Sequence, residues 1–179
     1  METREWFDVV DEEDRVVGRE LRSVVHGQGL RHRAVHILVR DPEGRILLQK
    51  RSTTKDMNPR KWDSSASGHL VVGETYDQAA VRELKEELGI ALESLPAPCF
   101  KLPASEQTEQ EFIQVYCLSW SGEIHPNPEE IEQVGWFSLE EIDRWIAERP
   151  EDFVPAFLLI WQEYRSRTSQ QTQEEGNAV

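Results

Sequence analysis

The sequence predicts an α/β fold with a mixed β-sheet and helices on both of its sides. Two β-branched runs, 34–40 and 46–50, flank the segment Asp41–Gly44, whose composition predicts the turn of a hairpin. A third run, 112–120, alternates between apolar and polar residues as a strand does. Thr75 has Gln three positions later, which is the spacing of a helix capping box. Strands and helices that alternate in this way are typical of a layered α/β domain.

The other elements follow from the same signals. In chain order we predict strands at 6–10 and 15–18, a helix at 19–25, strands at 34–40 and 46–50, a long loop at 51–67, the helix capped by Thr75, strands at 112–120 and 134–137, and helices at 139–148 and 155–165. From Ser166 onward the chain is polar, with almost no apolar residue. We therefore expect one domain over residues 1–165 and a disordered tail over 166–179.

Composition excludes several classes of partner. The net charge of −14 argues against nucleic acid and against anionic membrane surfaces. No apolar run approaches the length that spans a membrane, and the first residues do not resemble a signal peptide. The only two cysteines, Cys99 and Cys117, make no disulfide framework and have no metal-type spacing. We expect a cytoplasmic protein.

The most informative segment runs from Gly68 to Ile90 and has the pattern G-x5-E-x7-R-E-L-x-E-E-x-G-I. Its specified residues are Gly68, Glu74, Arg82, Glu83, Leu84, Glu86, Glu87, Gly89 and Ile90. At ordinary residue frequencies, such a match arises by chance on the order of 10⁻⁹ times per starting position. Gly89 stands where a glycine would end the helix that Thr75 begins.

Three carboxylates in this segment predict a metal site. Glu83, Glu86 and Glu87 lie at i, i+3 and i+4, so a helix places them on one face. There they repel one another, and a bound cation would remove that conflict. Sites rich in hard oxygen ligands suit Mg²⁺ or Mn²⁺. The alternative is an ordinary solvated helix face, which runs of Glu and Lys also form.

This segment resembles the Nudix box of the Nudix hydrolase superfamily, with every signature position filled. The resemblance implies a Nudix-type α/β/α sandwich with a mixed β-sheet. It also implies that Glu86 and Glu87 are metal ligands, that Glu83 is either a ligand or the general base, and that the Gly68 carbonyl is a further ligand. We expect Glu74 to pair with Arg82 and to fix the loop against the helix.

The resemblance extends over roughly residues 5–165. Within the superfamily, the sequence is similar to the isopentenyl-diphosphate isomerase-like branch. In that branch a pair of basic residues holds the substrate diphosphate, and the matching residues are Arg51 and Lys55. A forked guanidinium and a point charge both suit phosphate oxygens. An ordinary solvated loop is the alternative interpretation of this basic segment.

True isomerases of this branch carry a second metal site. The residues that match it are His26, His32, His69, Glu109 and Glu111, and the spacing at His26 differs by one residue. We expect Glu109 and Glu111 to lie two apart at the start of a strand and to face the same way. Imidazole and carboxylate together suit Mn²⁺, Zn²⁺ or Mg²⁺. Single histidines are more often ordinary polar residues. Glu111 is also a candidate for an additional ligand or base in hydrolysis.

The catalytic cysteine of the isomerases is absent, because Ser67 stands at its position. A hydroxyl is a far weaker acid than a thiol, and protonation of an alkene needs an acid of suitable strength. The complete box and the missing cysteine both favour a metal-dependent hydrolase that cleaves a diphosphate linkage in a small molecule, such as a nucleoside diphosphate derivative. The alternatives are an isopentenyl-diphosphate isomerase, an isoprenoid-diphosphate hydrolase and a non-catalytic binding module. Many relatives are dimers, so a homodimer stays open.

Overall fold

The computed structural model describes residues 5–176, and its strands and helices alternate along the chain. The strands are β1 (Trp6–Val10), β2 (Val16–Leu21), β3 (His32–Arg40), β4 (Ile46–Arg51), β5 (Trp62–Asp63), β6 (Ala66–His69), β7 (Phe100–Leu102), β8 (Glu111–Ser119) and β9 (Ile131–Phe137). The helices are α1 (Arg22–Gln28), α2 (Tyr76–Leu88), α3 (Leu139–Glu148) and α4 (Pro155–Gly176), with a 3₁₀ turn at Pro150–Asp152.

A seven-stranded mixed sheet forms the centre of the molecule. Its main path is β5-β4-β3-β8-β7, while β6 pairs with β3 and β9 pairs with β4. The pair β3–β8 is parallel, with His32 opposite Glu111, and the other pairs in this sheet are antiparallel. β1 and β2 form a separate two-stranded sheet. The register between β3 and β8 brings His32 and Glu111 together across 79 positions of sequence (111 − 32).

Side chains of β3 alternate between two apolar cores. Val35, Ile37 and Val39 pack in one core with Leu84 and Leu88 of α2. Ala34 and Leu38 belong to the other core, which also contains Phe157 and Ile160 of α4. Each fully buried aliphatic side chain contributes about 1.5–3 kcal/mol relative to an exposed one. The predicted α/β/α sandwich with a mixed sheet is confirmed.

Several predicted boundaries differ from the structure. The helix predicted at 19–25 begins only at Arg22, because Arg19 pairs with Asp8 and extends β2. The predicted loop 51–67 contains β5 and the start of β6, whose short runs lack a period long enough to reveal them. Long-range pairing decides both cases, and local sequence does not carry that information.

The C-terminal helix is longer than predicted. α4 continues past Arg165 to Gly176, so residues 166–176 are helical where the sequence predicts a disordered tail. Gln, Glu and Arg in this stretch are good helix formers, which is the physical reason for the difference. Residues 177–179 of the predicted tail lie outside the described residues. The division of the chain at residue 165 stays a prediction.

Ser65 bridges the place where β3 and β4 separate. These strands pair at Arg40 and Ile46, while residues of β6 lie along the rest of β3. The buried Ser65 hydroxyl donates to the Leu47 carbonyl at 2.5 Å and accepts from the Val39 N–H at 2.7 Å. The Ser65 side chain thus links β3 and β4 where they form no direct backbone hydrogen bond.

Ser65→Ala should destabilise the fold by about 2–3 kcal/mol, because it leaves a buried N–H and a buried carbonyl without partners. The free energy of unfolding in urea measures the change. Ser23→Ala on α1, where the serine is exposed, is the matched control and should stay within about 0.5 kcal/mol of the wild type. Equal stability of the Ser65 variant and the control would contradict the bridging role.

Candidate active site

Helix α2 begins and ends where the sequence predicts. The Thr75 hydroxyl accepts from the Gln78 N–H, and the Gln78 side-chain oxygen accepts from the Thr75 N–H, which completes the capping box. Gly89 ends the helix in the left-handed region at φ 68°, a conformation that glycine adopts at low cost. With Leu84 and Leu88 packed in the core, this helix presents its acidic residues toward β6.

The predicted carboxylates Glu83, Glu86 and Glu87 line one polar cavity of about 560 Å³. Their depths differ. The side chain of Glu83 is 12% exposed and Glu87 is 2% exposed, whereas the side chain of Glu86 is 57% exposed. The box therefore has two carboxylates in its wall and one at its mouth.

The two buried carboxylates disfavour each other's ionised form. Burial raises the pKa of Glu83 to about 8, and the charge of Glu87 adds to the effect. Burial also raises the pKa of Glu87, against the opposing influence of the Lys55 charge and of hydrogen bonds from Ser67 and Gln49. A site that concentrates such acids favours a cation, which would stabilise both in their ionised form.

Arg82 ties the box helix to the loop that precedes it. Its guanidinium contacts both oxygens of Glu74, at 2.8 and 2.9 Å, and donates to the His69 carbonyl at 2.9 Å. The same group reaches Glu83 at 2.6 Å and Glu86 at 3.2 Å. The predicted pair of Glu74 and Arg82 therefore forms, and it fixes the loop as well as the acidic face.

Gly68 lies against Glu83 so closely that no side chain fits between them. A Cβ atom at Gly68 would lie 2.1 Å from the Glu83 Oε1 atom. This absence of a Cβ brings the β6 backbone next to the box carboxylates, where the Gly68 carbonyl is predicted to be a metal ligand. The glycine is therefore required by a close approach and not by its backbone dihedrals.

The three predicted histidines meet in a partly buried cluster, in which His32 is the most deeply buried. Ring nitrogens of His26, His32 and His69 lie within 4.8 Å of one another. Glu111 joins them, with its Oε1 atom 2.8 Å from His69 Nε2 and 3.5 Å from His32 Nε2. Phe7 packs on the rings of all three histidines at centroid distances of 4.9–6.0 Å. The structure thus brings four of the five predicted second-site residues together.

The histidine cluster has the properties of a metal site. The His32 Nδ1 atom lies 2.9 Å from the Leu30 carbonyl, so Nδ1 carries the proton and Nε2 the lone pair. The Nε2 atoms of His26 and His32 are buried without a hydrogen-bond partner among the described residues. Burial lowers the pKa of His26 to about 4 and also lowers that of His69, so these rings are neutral near pH 7. A cation would satisfy these lone pairs and the Glu111 carboxylate.

Glu109 departs from its predicted geometry. β8 begins at Glu111, and Glu109 and Gln110 lie in a turn with φ of 54° and 66°. The prediction that Glu109 lies at the start of a strand is therefore wrong. Glu109 accepts a hydrogen bond from Asn58 at 3.2 Å, although it lines a small cavity of about 90 Å³ together with Glu111.

Arg51 and Lys55 both line this small cavity, which shares Lys55, Ser67, Gly68 and His69 with the larger one. The Arg51 guanidinium donates to the Met57 carbonyl at 3.2 and 3.3 Å and lies 3.5 Å from Asp63. Lys55 forms an ion pair with Glu130. The two predicted diphosphate contacts are therefore next to the box and are held in place by neighbouring residues.

Three site residues escape the sequence analysis. Arg22 lines both cavities and pairs with Asp56 at 2.6 Å. Asp63 is buried between Arg51 and the Ser67 hydroxyl, which donates to it at 3.3 Å. Gln49 donates to Glu87 at 2.8 Å from within β4. The polar Gln49, directly after three buried apolar residues of β4, is a local signal, whereas nothing in the local sequence singles out Arg22.

Comparison with known proteins assigns the family. The NUDIX domain model matches residues 30–157. An uncharacterized Nudix hydrolase of Yersinia pestis is 35% identical, over 93% of this chain and 89% of that protein. A protein of Serratia proteamaculans named isopentenyl-diphosphate Delta-isomerase is 33% identical, over 87% of this chain and 89% of that protein. The chain belongs to the Nudix hydrolase family and is an enzyme.

A solved structure agrees with this assignment. The crystal structure of DR0079 from Deinococcus radiodurans superposes with a TM-score of 0.72 at 32% identity, covering 80% of this chain and 90% of that one. Among residues 5–176, no helix combines the length and the apolar character needed to cross a membrane.

Gly68→Ala should lower the affinity for Mn²⁺ at the box at least tenfold, because the new methyl group displaces the Glu83 carboxylate. Isothermal titration calorimetry measures the affinity. Gly27→Ala is the matched control, since a Cβ there meets nothing within 4 Å. Wild-type Mn²⁺ affinity in a folded Gly68 variant would show that the close approach has no part in metal binding.

Proposed function

We propose that this enzyme hydrolyses a diphosphate linkage in a small molecule, a nucleoside diphosphate derivative or a related compound, with the help of a divalent metal ion. The observation that carries the proposal is a cavity that holds both charge types. Its acidic residues are Glu83 and Glu87 in the wall and Glu86 at the mouth, and Lys55 and Arg22 line the same cavity. Carboxylates suit the cation, and the basic residues suit the phosphates.

The residues at the box fit a hard cation such as Mg²⁺ or Mn²⁺. Glu86, Glu87 and the Gly68 carbonyl would hold it, and Glu83 would act either as a ligand or as the base. The bound ion would polarise the phosphate oxygens and lower the pKa of a coordinated water. Glu111 is a candidate for a further ligand or base, because it lies at the boundary between the box and the basic loop.

The basic side chains neutralise and orient the diphosphate. The Arg51 guanidinium, held by Met57 and Asp63, can donate two hydrogen bonds to a phosphate group. The Lys55 ammonium, paired with Glu130, supplies a compact positive charge. In the reaction, a water oxygen bonds to phosphorus, the bridging P–O bond breaks, and a carboxylate takes the proton of the water. Fixed cations around the two phosphates stabilise the charge that develops on the leaving group.

Isopentenyl-diphosphate isomerisation is the second candidate function. It is favoured by the cluster of His26, His32, His69 and Glu111 and by the 33% identity to the Serratia protein. Ser67 argues against it. Its hydroxyl donates to the buried Asp63 carboxylate and is too weak an acid to protonate an alkene. An isoprenoid-diphosphate hydrolase would avoid this objection, because hydrolysis needs no such acid.

A non-catalytic binding module is the third candidate. Such a module needs no complete set of metal ligands, and here Gly68 and the three carboxylates Glu83, Glu86 and Glu87 line one cavity. Incubation with a panel of small diphosphates, in the presence of Mg²⁺ and Mn²⁺, distinguishes a binding module from a diphosphate hydrolase. Release of phosphate or of a nucleoside monophosphate identifies a hydrolase, and binding without release identifies the module.

Glu86→Gln and Glu87→Gln should each lower the rate of hydrolysis at least about 10²-fold, because each removes a negative ligand from the metal ion. The rate is measured at saturating Mg²⁺ on the best substrate of the panel. Glu93→Gln, beyond the box, is the control and should keep full activity. Normal turnover by both box variants would show that the box is not the active centre.

The wild-type enzyme should not incorporate deuterium from D₂O into isopentenyl diphosphate, because Ser67 cannot deliver the proton. Ser67→Cys restores the thiol and tests whether the acid alone is missing. NMR follows the incorporation. Deuterium in the product of the wild-type enzyme would overturn the preferred function in favour of the isomerase.

A further inference from the structure

Gln49 is a fully buried polar residue in the central strand β4, with 0% of its surface exposed. It lies opposite Asp63 of β5 and Val134 of β9, with apolar residues before it in the strand. A buried amide costs free energy unless its polar atoms are paired. The position of this side chain therefore calls for a physical reason.

The Gln49 amide is paired with the box. Its Nε2 atom donates to the Oε2 atom of Glu87 at 2.8 Å. The backbone N–H of Ser67 donates to the same oxygen at 3.0 Å. Both hydrogen bonds that the described residues make to this carboxylate end on Oε2, so Oε1 is the oxygen left for a ligand in the cavity. The two donors come from different strands and fix the plane of the carboxylate.

The other half of the amide is its Oε1 atom. The Oε1 atom of Gln49 is buried without a hydrogen bond among the described residues. For stability alone, a methionine of similar volume would fill this space without an unpaired acceptor. Gln49 thus retains an unfavourable oxygen in order to place one donor on Glu87.

We propose that Gln49 is a positioning residue for the metal ion: together with the Ser67 N–H it holds Oε2 of Glu87 and so presents Oε1 to the cation. The inference rests on the proposed function only in taking Glu87 as a metal ligand. Outer partners of this kind orient ligands and strengthen metal binding. Gln49 does not touch the substrate and acts through Glu87.

The test separates metal binding from stability. Gln49→Met removes the donor and the unpaired oxygen while conserving volume, and Gln49→Leu is measured beside it in case one of them fails to fold. Gln114→Met is the matched control, because Gln114 also lies in a central strand but donates to the Phe100 carbonyl, away from the box. Mn²⁺ affinity is measured by electron paramagnetic resonance, and stability by urea unfolding.

We expect the Gln49 variant to bind Mn²⁺ about 10- to 100-fold more weakly at the box, the range for loss of an outer partner. Its stability should stay close to that of the wild type, because removal of the unpaired Oε1 atom offsets the lost donor to Glu87. Gln114→Met should keep wild-type affinity. In a Glu87→Gln background, Gln49→Met should cause no further loss, because it acts through Glu87. A merely structural role would lower stability and leave affinity unchanged.

Two failures are distinguishable. Wild-type Mn²⁺ affinity in the folded Gln49 variants, or an additive loss in the Glu87→Gln background, would overturn this inference and leave the proposed function intact. If Glu87→Gln itself binds Mn²⁺ at as many sites and with the same affinities as the wild type, Glu87 is not a metal ligand. The role of Gln49 then fails as well.

Discussion

Two buried carboxylates, Glu83 and Glu87, impose the main constraint on this structure. Burial and mutual repulsion disfavour their ionised forms. Several neighbouring residues reduce the cost of burying these two carboxylates or make room for them. Arg82 neutralises one side, Gly68 leaves room for the Glu83 side chain, and Gln49 donates to Glu87. A divalent cation would complete the compensation, because it offers the positive charge that these neighbours supply only in part.

Beside the box carboxylates, the site contains a second polar group around Asp63, and Ser67 contacts both. Its backbone N–H belongs to the box through Glu87, and its hydroxyl belongs to the polar group around Asp63. His69, two residues after Ser67 in β6, belongs to the histidine cluster. Overall identity near 35% does not separate a hydrolase from an isomerase. The chemistry of one side chain, hydroxyl against thiol, separates them more directly.

The sequence predicts local features well and long-range ones poorly. The capping box at Thr75 and the end at Gly89 were predictable, because caps depend on a few neighbouring residues. The pair of Glu74 and Arg82 followed from the same short segment. The sequence predicts a strand at Glu109, but this residue lies in a turn with positive φ, which its side chain does not reveal. The contacts of Gln49 and Arg22 arise only when distant parts of the chain meet, so the local sequence does not reveal their partners.

The most direct test compares the unfolding free energies of the wild type and Glu87→Gln at pH 8, with EDTA and with Mg²⁺. If the buried carboxylates need a cation, the variant is at least as stable as the wild type in EDTA. Mg²⁺ at 100 times its Kd should then stabilise the wild type by about 2.7 kcal/mol and the variant by much less. A variant that is less stable in EDTA and gains as much from Mg²⁺ as the wild type would contradict the account.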